Sequence, residues 1–282
     1  MNMTTRFTKL VGCTLPVQLA AMGGVGTAEL AAAVITAGGL GMVPAGTQPA
    51  DGACGVNFLM PFGPSLEDIA AAAGQCGVVE FFYGDPRADV VSAARRAGAV
   101  TGWQVGSVDE AVAAEKAGCD YLVAQGTEAG GHVRGSLCLD ELLSQVISSV
   151  HIPVVAAGGI ATAERTAAVI RSGADAVRVG TRFVASPESG AHPSYVRALL
   201  AAGAEDTELT EWFGDGWANA PHRVLRSSLA AAQRSGWHEP TPPYRGVDRD
   251  PNEMPMYAGT GVGDVVRSEP AAEVLADLVR LL

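Results

Sequence analysis

Residues 152–181 read IPVVAAGGIATAERTAAVIRSGADAVRVGT, two apolar runs joined by an Ala-rich segment of helical period. The first run, 152–156, ends in Ala157-Gly158-Gly159-Ile160, and the second, 174–179, ends in Gly180-Thr181. A strand that passes through glycine into a helix and returns as a second strand is a βαβ unit, which implies a parallel sheet. Upstream the alternation recurs, with runs at 16–21, 39–43, 55–59, 78–83, 99–105 and 121–124, so that eight runs are present, the closing number of a barrel. Helices are expected at 27–37, 65–75, 87–97, 107–117, 139–150 and 161–172. Ser65 and Ser107 read as N-caps, with Asp68 and Glu110 as the acids three residues on. The link 44–53 is too short for a helix, and an open doubly wound sheet stands as the alternative. The glycine steps favour closure. Barrel enzymes often hold a phosphate with their seventh and eighth loops, where glycine N–H groups and helix N-termini supply donors to an anion. The expected fold is α/β, a (β/α)8 TIM barrel with a small C-terminal helical cap.

A chain of 282 residues suits one such barrel with an appendage. Its net charge of -11, without a cluster of Lys or Arg, argues against nucleic acid or an anionic membrane surface as partner. A small-molecule substrate is the better fit, and a homo-oligomer stays open. Cys13, Cys54, Cys76, Cys119 and Cys138 form no CxxC pair and are odd in number, so neither a disulfide framework nor a metal site is expected, and a cytoplasmic location fits. The segment before Pro16 lacks the continuous apolar core of a signal peptide. The most apolar stretch, 30–46, is broken by Gly38, Gly39, Gly41 and Pro44, which suits a helix and a strand better than a bilayer span.

After the sixth run comes QGTEAGGHVRG, residues 125–135. It places Glu128 and His132 around an Ala-Gly-Gly step, where the glycines let the backbone turn or approach a flat ligand closely. A glycine hairpin with an incidental histidine is the competing reading. The other histidines, His151, His192, His222 and His238, are read as structural.

Taken together, AAMGGVGTAELAAAVITAGGLG, GVNFLMPF, AQGTEAGGHVRG, PVVAAGGIATA, GADAVRVGTRFVASPESGAHPSY and MPMYAGTGVG resemble the nitronate monooxygenase family, formerly the 2-nitropropane dioxygenases, over nearly the whole chain. That family is similar in its core to flavin-dependent enoyl-acyl-carrier-protein reductases and NADH:quinone reductases. The resemblance implies FMN, bound without covalent attachment at the C-terminal face of the barrel. It places Met22 against the isoalloxazine ring and Asn57 at the cofactor. Gln125, Ala129, Gly130 and Gly131 fall in the loop beside the flavin, and Gly158, Gly159, Gly180 and Thr181 fall at the phosphate. Gln104 either bonds the pyrimidine edge or is a satisfied interior amide.

Three positions depart from the family pattern. Ala20-Ala21-Met22 replaces Ala-Pro-Met, Arg178 stands where Gln is usual, and Ala258-Gly259-Thr260 replaces AGQ. Arg178 is expected either to neutralise the phosphate bidentately or to point outward toward Asp175 or Glu188. His132 is the expected catalytic residue: near its ordinary pKa it either takes the proton beside a nitro group or stays charged and holds a nitronate. The reaction so implied is oxidation of an alkyl nitronate with dioxygen to a carbonyl compound and nitrite. An FMN reductase drawing on NAD(P)H for a quinone, enoyl thioester or other electrophile is the alternative.

The expected division is a barrel over 1–187, a helical cap and irregular loop over 188–255, and a C-terminal segment over 256–282 returning to the barrel. Helices are expected at 193–202 and 220–235. Trp212, Phe213, Trp217 and Trp237 either wall an apolar pocket or pack the cap.

Overall fold

Side chains alternate across a strand, and here the alternation sorts one inner row from one outer row. The computed structural model describes residues 3–49 and 54–282. Its barrel strands are β1 (Val17–Leu19), β2 (Gly41–Pro44), β3 (Cys54–Leu59), β4 (Val78–Phe82), β5 (Val100–Val105), β6 (Tyr121–Gln125), β8 (Val154–Ala157) and β9 (Ala176–Val179), with the two-residue β7 (Gly131–His132) between β6 and β8. All eight expected runs are strands, and all barrel pairings are parallel. The order β1-β9-β8-β6-β5-β4-β3-β2 leaves only β1 and β2 to meet. They do so through Leu19 N–H to Leu40 O and Leu40 N–H to Val17 O, each 2.9 Å, so the sheet is a closed (β/α)8 barrel rather than an open one. In the link from β2 to β3, residues 45–49 form a turn and irregular chain, while 50–53 lie outside the described residues.

The outer row, with Val79, Phe81, Trp103, Leu122, Ala124 and Val177 among its members, packs into one large core with the surrounding helices. The inner row is layered. At its base Phe7, Leu40, Met42, Val78, Tyr121, Val123, Val155 and Ala176 form a second apolar cluster. Phe7 comes from a short N-terminal helix, Arg6–Val11, which the sequence reading did not anticipate. Its fully buried ring stands edge-on to Tyr121 at 5.3 Å and contributes about 1.5–3 kcal/mol by burial alone. Above this plug the row turns polar, with Gln18, Asn57, Glu80, Gln104 and Arg178 all buried.

The six expected crossover helices are present within a residue or two, at Ala28–Thr36, Leu66–Gln75, Ala88–Arg96, Val108–Ala117, Leu139–Ser149 and Ala163–Arg171. Ser65 and Ser107 accept from the N–H of Asp68 and Glu110, as their spacing predicts. Beyond the barrel, helices occupy Pro193–Ala201 and Arg226–Ser235, and a further helix occupies Ala271–Leu278. The start expected at 220 is displaced, because His222–Leu225 is a strand (β11) that pairs antiparallel with β10 (Thr207–Thr210) on one side and with β7 on the other. Residues 207–210 and the expected helix start thus contribute to a three-stranded sheet whose third member is the loop that carries His132.

Candidate active site

A cavity of about 450 Å³ opens at the C-terminal ends of the barrel strands, a size suited to a cofactor with a small ligand. Its lining includes Met22, Asn57, Gln104, Gln125, Ala129, Gly130, Gly131, His132, Gly158, Gly159, Arg178, Gly180 and Thr181, so the residues expected at the cofactor and the expected catalytic histidine converge there, but not all those singled out from the sequence do. Glu128 does not. Its carboxylate accepts from the N–H of Leu139, at 2.9 and 3.1 Å, and caps the helix Leu139–Ser149.

The floor is the polar layer of the barrel. Glu80, fully buried, accepts from Asn57 Nδ2 (2.9 Å), Tyr121 Oη (2.9 Å), Gln18 Nε2 (3.2 Å) and Arg178 Nη2. Arg178 also donates through Nη1 to Gln104 Oε1 (2.6 Å) and through Nε to Gln18 Oε1 (3.2 Å). This corrects the outward expectation for Arg178, since its buried guanidinium is bound by Glu80, Gln104 and Gln18 at the cavity floor and reaches neither Asp175 nor Glu188. Asp175 is paired with Arg6, and Glu188 accepts from the N–H of Ala271. The physical reason is the strand register: Arg178 shares the inward face with Gly180, but the nearest unmatched charge on that face is Glu80. Burial, followed by the charge of Glu80, raises the Tyr121 phenol well above its ordinary pKa, so it remains a hydrogen-bond donor to the carboxylate.

One wall is nearly bare backbone. Gly158 and Gly159 have φ of 124° and 64°, and among the described residues the N–H groups of Gly159 and Gly180 meet no protein acceptor. Gly130 permits a close crossing, because a Cβ there would come within 2.6 Å of Gly259 N. The loop after Tyr257 is held against this wall by Gly259 N–H to Thr181 Oγ1 (3.1 Å) and Thr260 N–H to Glu128 O (3.0 Å). Where proline is missing before Met22, the turn is kept by Gly26 N–H to Met22 O at 2.7 Å.

The roof is aromatic. β7 carries His132 opposite His222, and the His132 ring stacks on Trp217 at 3.9 Å and 18°. Tyr83 meets Trp217 edge-on at 4.7 Å, and its φ of 63° is a left-handed conformation that a side chain this large seldom adopts. Trp217 therefore walls the cavity, whereas Trp212, Phe213 and Trp237 pack the small sheet and its helix. His222 is fixed as a neutral ring, with Nδ1–H donating to Ala220 O (2.9 Å) and Nε2 accepting from Phe213 N–H (3.3 Å). His132 is different. Its Nε2 is buried with no protein partner, and burial together with His222 pushes its pKa down to about 3, so it is neutral at neutral pH. In that state it matches the first of its two expected roles, that of proton acceptor.

These residues fit FMN. The wall offers unpaired N–H groups to a phosphate, and Gln125 presents a buried, unpartnered Oε1 while its Nε2 donates to His132 O at 2.9 Å. With Arg178 withdrawn, backbone N–H groups carry the phosphate assignment. Gly159→Val should weaken FMN binding at least tenfold, because φ of 64° strains a β-branched residue and its Cβ would crowd Thr260 Oγ1 at 3.0 Å. Gly180→Val should act in the same direction. Titration followed by flavin fluorescence checks both, and unchanged affinity in the pair would overturn the phosphate assignment.

Sequence missed Glu80, Gln18 and Tyr121, although an acid inside the apolar run VVEFF was a visible signal. It also left Tyr83 unweighed, whereas the structural reading of His222 agrees with its hydrogen bonds to Ala220 and Phe213.

Comparison with known proteins gives the same direction. The family model for nitronate monooxygenase matches residues 65–280. A Mycobacterium tuberculosis protein, (3aS,4S,5R,7aS)-5-hydroxy-7a-methyl-1-oxo-octahydro-1H-indene-4-carboxyl-CoA dehydrogenase, is 34% identical over 84% of this chain and 70% of its own. Among solved structures, FabK from Thermotoga maritima superposes with a TM-score of 0.86 at 30% identity, covering 99% of this chain and 96% of that one. Nitroalkane oxidase from Streptomyces ansochromogenes superposes with a TM-score of 0.77 at 31% identity, covering 98% and 97%.

Proposed function

We propose, from the premise that this chain belongs to the nitronate monooxygenase family, that it oxidises alkyl nitronates with dioxygen to a carbonyl compound and nitrite. Membership makes it an oxidoreductase, and FMN is its cofactor. When bound, FMN supplies the two-electron chemistry and the route to dioxygen. The chain's own residues do the rest. Asn57, Gln104 and Gln125 would orient the ring system, Met22 would lie against it, and the glycine wall would hold the phosphate. Trp217, Tyr83 and Tyr257 exclude water from the reacting face.

The observation that carries the reading is the neutral imidazole of His132, with an unpartnered ring nitrogen at the cavity. A neutral imidazole with a free ring nitrogen can take the proton of a carbon acid, whereas a substrate that arrives already ionised needs no base from the chain. That substrate is a nitronate. Its negative charge also meets no uncompensated carboxylate, since Glu80 is paired with Arg178 and Glu128 is turned away to its helix.

A second reading, reduction of an electrophile at the expense of NAD(P)H, is favoured by the likeness to FabK and by a relative whose name specifies a CoA thioester. Anaerobic mixing separates the two. Bleaching of the flavin by a nitronate within the turnover time, with NADH and NADPH slow, is the expected result, and the converse would replace oxidation by reduction. No helix of the described residues is long and apolar enough to cross a membrane.

A further inference from the structure

We infer that the buried Glu80–Arg178 pair is a positioning device that decides which end of Asn57 and Gln104 faces the cavity, and so which hydrogen-bond pattern a ligand meets. The inference rests on FMN filling that cavity. A primary amide is ambivalent, with a donor end and an acceptor end of nearly the same shape, and two facing amides can flip together without losing their bond. Ions are not ambivalent. A carboxylate only accepts and a guanidinium only donates.

Asn57 turns Nδ2 to Glu80 at 2.9 Å, which leaves Oδ1 as its free end; that atom has no protein partner and is not buried. Gln104 turns Oε1 to Arg178 Nη1 at 2.6 Å, which leaves its NH2 as the free end, also without a protein partner. Both residues line the cavity, so it is offered one acceptor and one donor from its floor. The imide edge of an isoalloxazine, with N–H and C=O groups side by side, is the complementary chemistry. A flip of either amide would set N–H against N–H at Arg178 or oxygen against oxygen at Glu80. Glutamine at both 80 and 178 would permit either arrangement. The geometry of the pair supports this role in a second way, because Gln18, which touches both ions and does not line the cavity, is held by the same rule: Nε2 donates to Glu80 and Oε1 accepts from Arg178.

The test uses the holoprotein and the double variant Glu80→Gln/Arg178→Gln, which removes both charges together and leaves no buried ion unpaired. Relative to the unaltered protein, the double variant should bind FMN about tenfold more weakly, the equivalent of one lost hydrogen bond, and should shift the visible flavin band. Thermal unfolding of the apoprotein should stay close to that of the unaltered chain. Equal affinity and an identical band in a folded double variant would overturn the inference while leaving FMN binding intact.

A second measurement needs no variant. FMN methylated at the imide nitrogen, which lacks that N–H, should compete with FMN at least tenfold less well in the unaltered protein, and equal competition would overturn the assigned acceptor. Failure of the unaltered protein to bind FMN at all would overturn the cofactor placement and, with it, this inference.

Discussion

His132→Asn should lower turnover of neutral nitroalkanes about a hundredfold, near the low end of what a positioned base contributes, while leaving nitronates comparatively untouched. A nitroalkane must lose a carbon-bound proton before its electrons can leave, whereas a nitronate has already lost it. The imidazole is the group placed to take that proton, with Nε2 unpartnered and the ring clamped on Trp217. FMN content should stay near normal, because the contact from Gln125 is to the backbone oxygen of residue 132 and survives the substitution. The pH dependence provides an independent check. Burial lowers the His132 pKa to about 3, so the rate on a nitronate should show no histidine ionisation between about pH 5 and 9. A step near pH 6.5 that vanishes in the variant would show the residue to be charged during turnover. Equal losses on both substrate forms would assign His132 to anion binding or loop order instead.

Glu80→Leu should be the most destabilising single change in the barrel, by about 3–5 kcal/mol, because it strands the Arg178 charge in the interior and deprives Asn57, Tyr121 and Gln18 of their acceptor. Adding Arg178→Met should recover the part of that loss due to the stranded charge, while the polar groups of Asn57, Tyr121, Gln18 and Gln104 stay without their ionic partners. Urea midpoints for the two single variants and the double variant measure the coupling. Simple additivity would mean that the two ions do not depend on one another, contrary to their contact.

The barrel was legible because parallel strands covered on both faces read as short apolar runs, and because glycine marks their C-terminal ends. The expected runs 78–83 and 121–124 correspond to Val78–Phe82 and Tyr121–Gln125. Local capping chemistry was legible for the same reason, since Ser65 and Ser107 act within their own helical turn. Pairings between distant segments were not. His222–Leu225 carries no period of its own that separates it from the Ala-rich helix behind it, and its strand character comes from partners at 207–210 and 131–132. Arg178 shows the same limit. Its direction was left open between inward and outward, because its partner Glu80 lies on another strand, 98 residues away in the chain. The list of cavity residues could be drawn from the sequence, whereas the ionic state of His132 could not, because it depends on burial by Trp217 and on His222 across the small sheet.

β7 has a consequence for the order in which the protein is made. Domains fold largely from the N-terminus as the chain emerges from the ribosome, at about 5–20 residues per second. All barrel strands have been synthesised once Val179 has appeared, but the only strand that pairs with Gly131–His132 among the described residues is His222–Leu225, and the loop that crosses Gly130 begins still later, after Tyr257. A ribosome-bound nascent chain can therefore hold all eight barrel strands while His132 still lacks its strand partner. Segments synthesised after the barrel strands, rather than those strands themselves, complete the surroundings of His132.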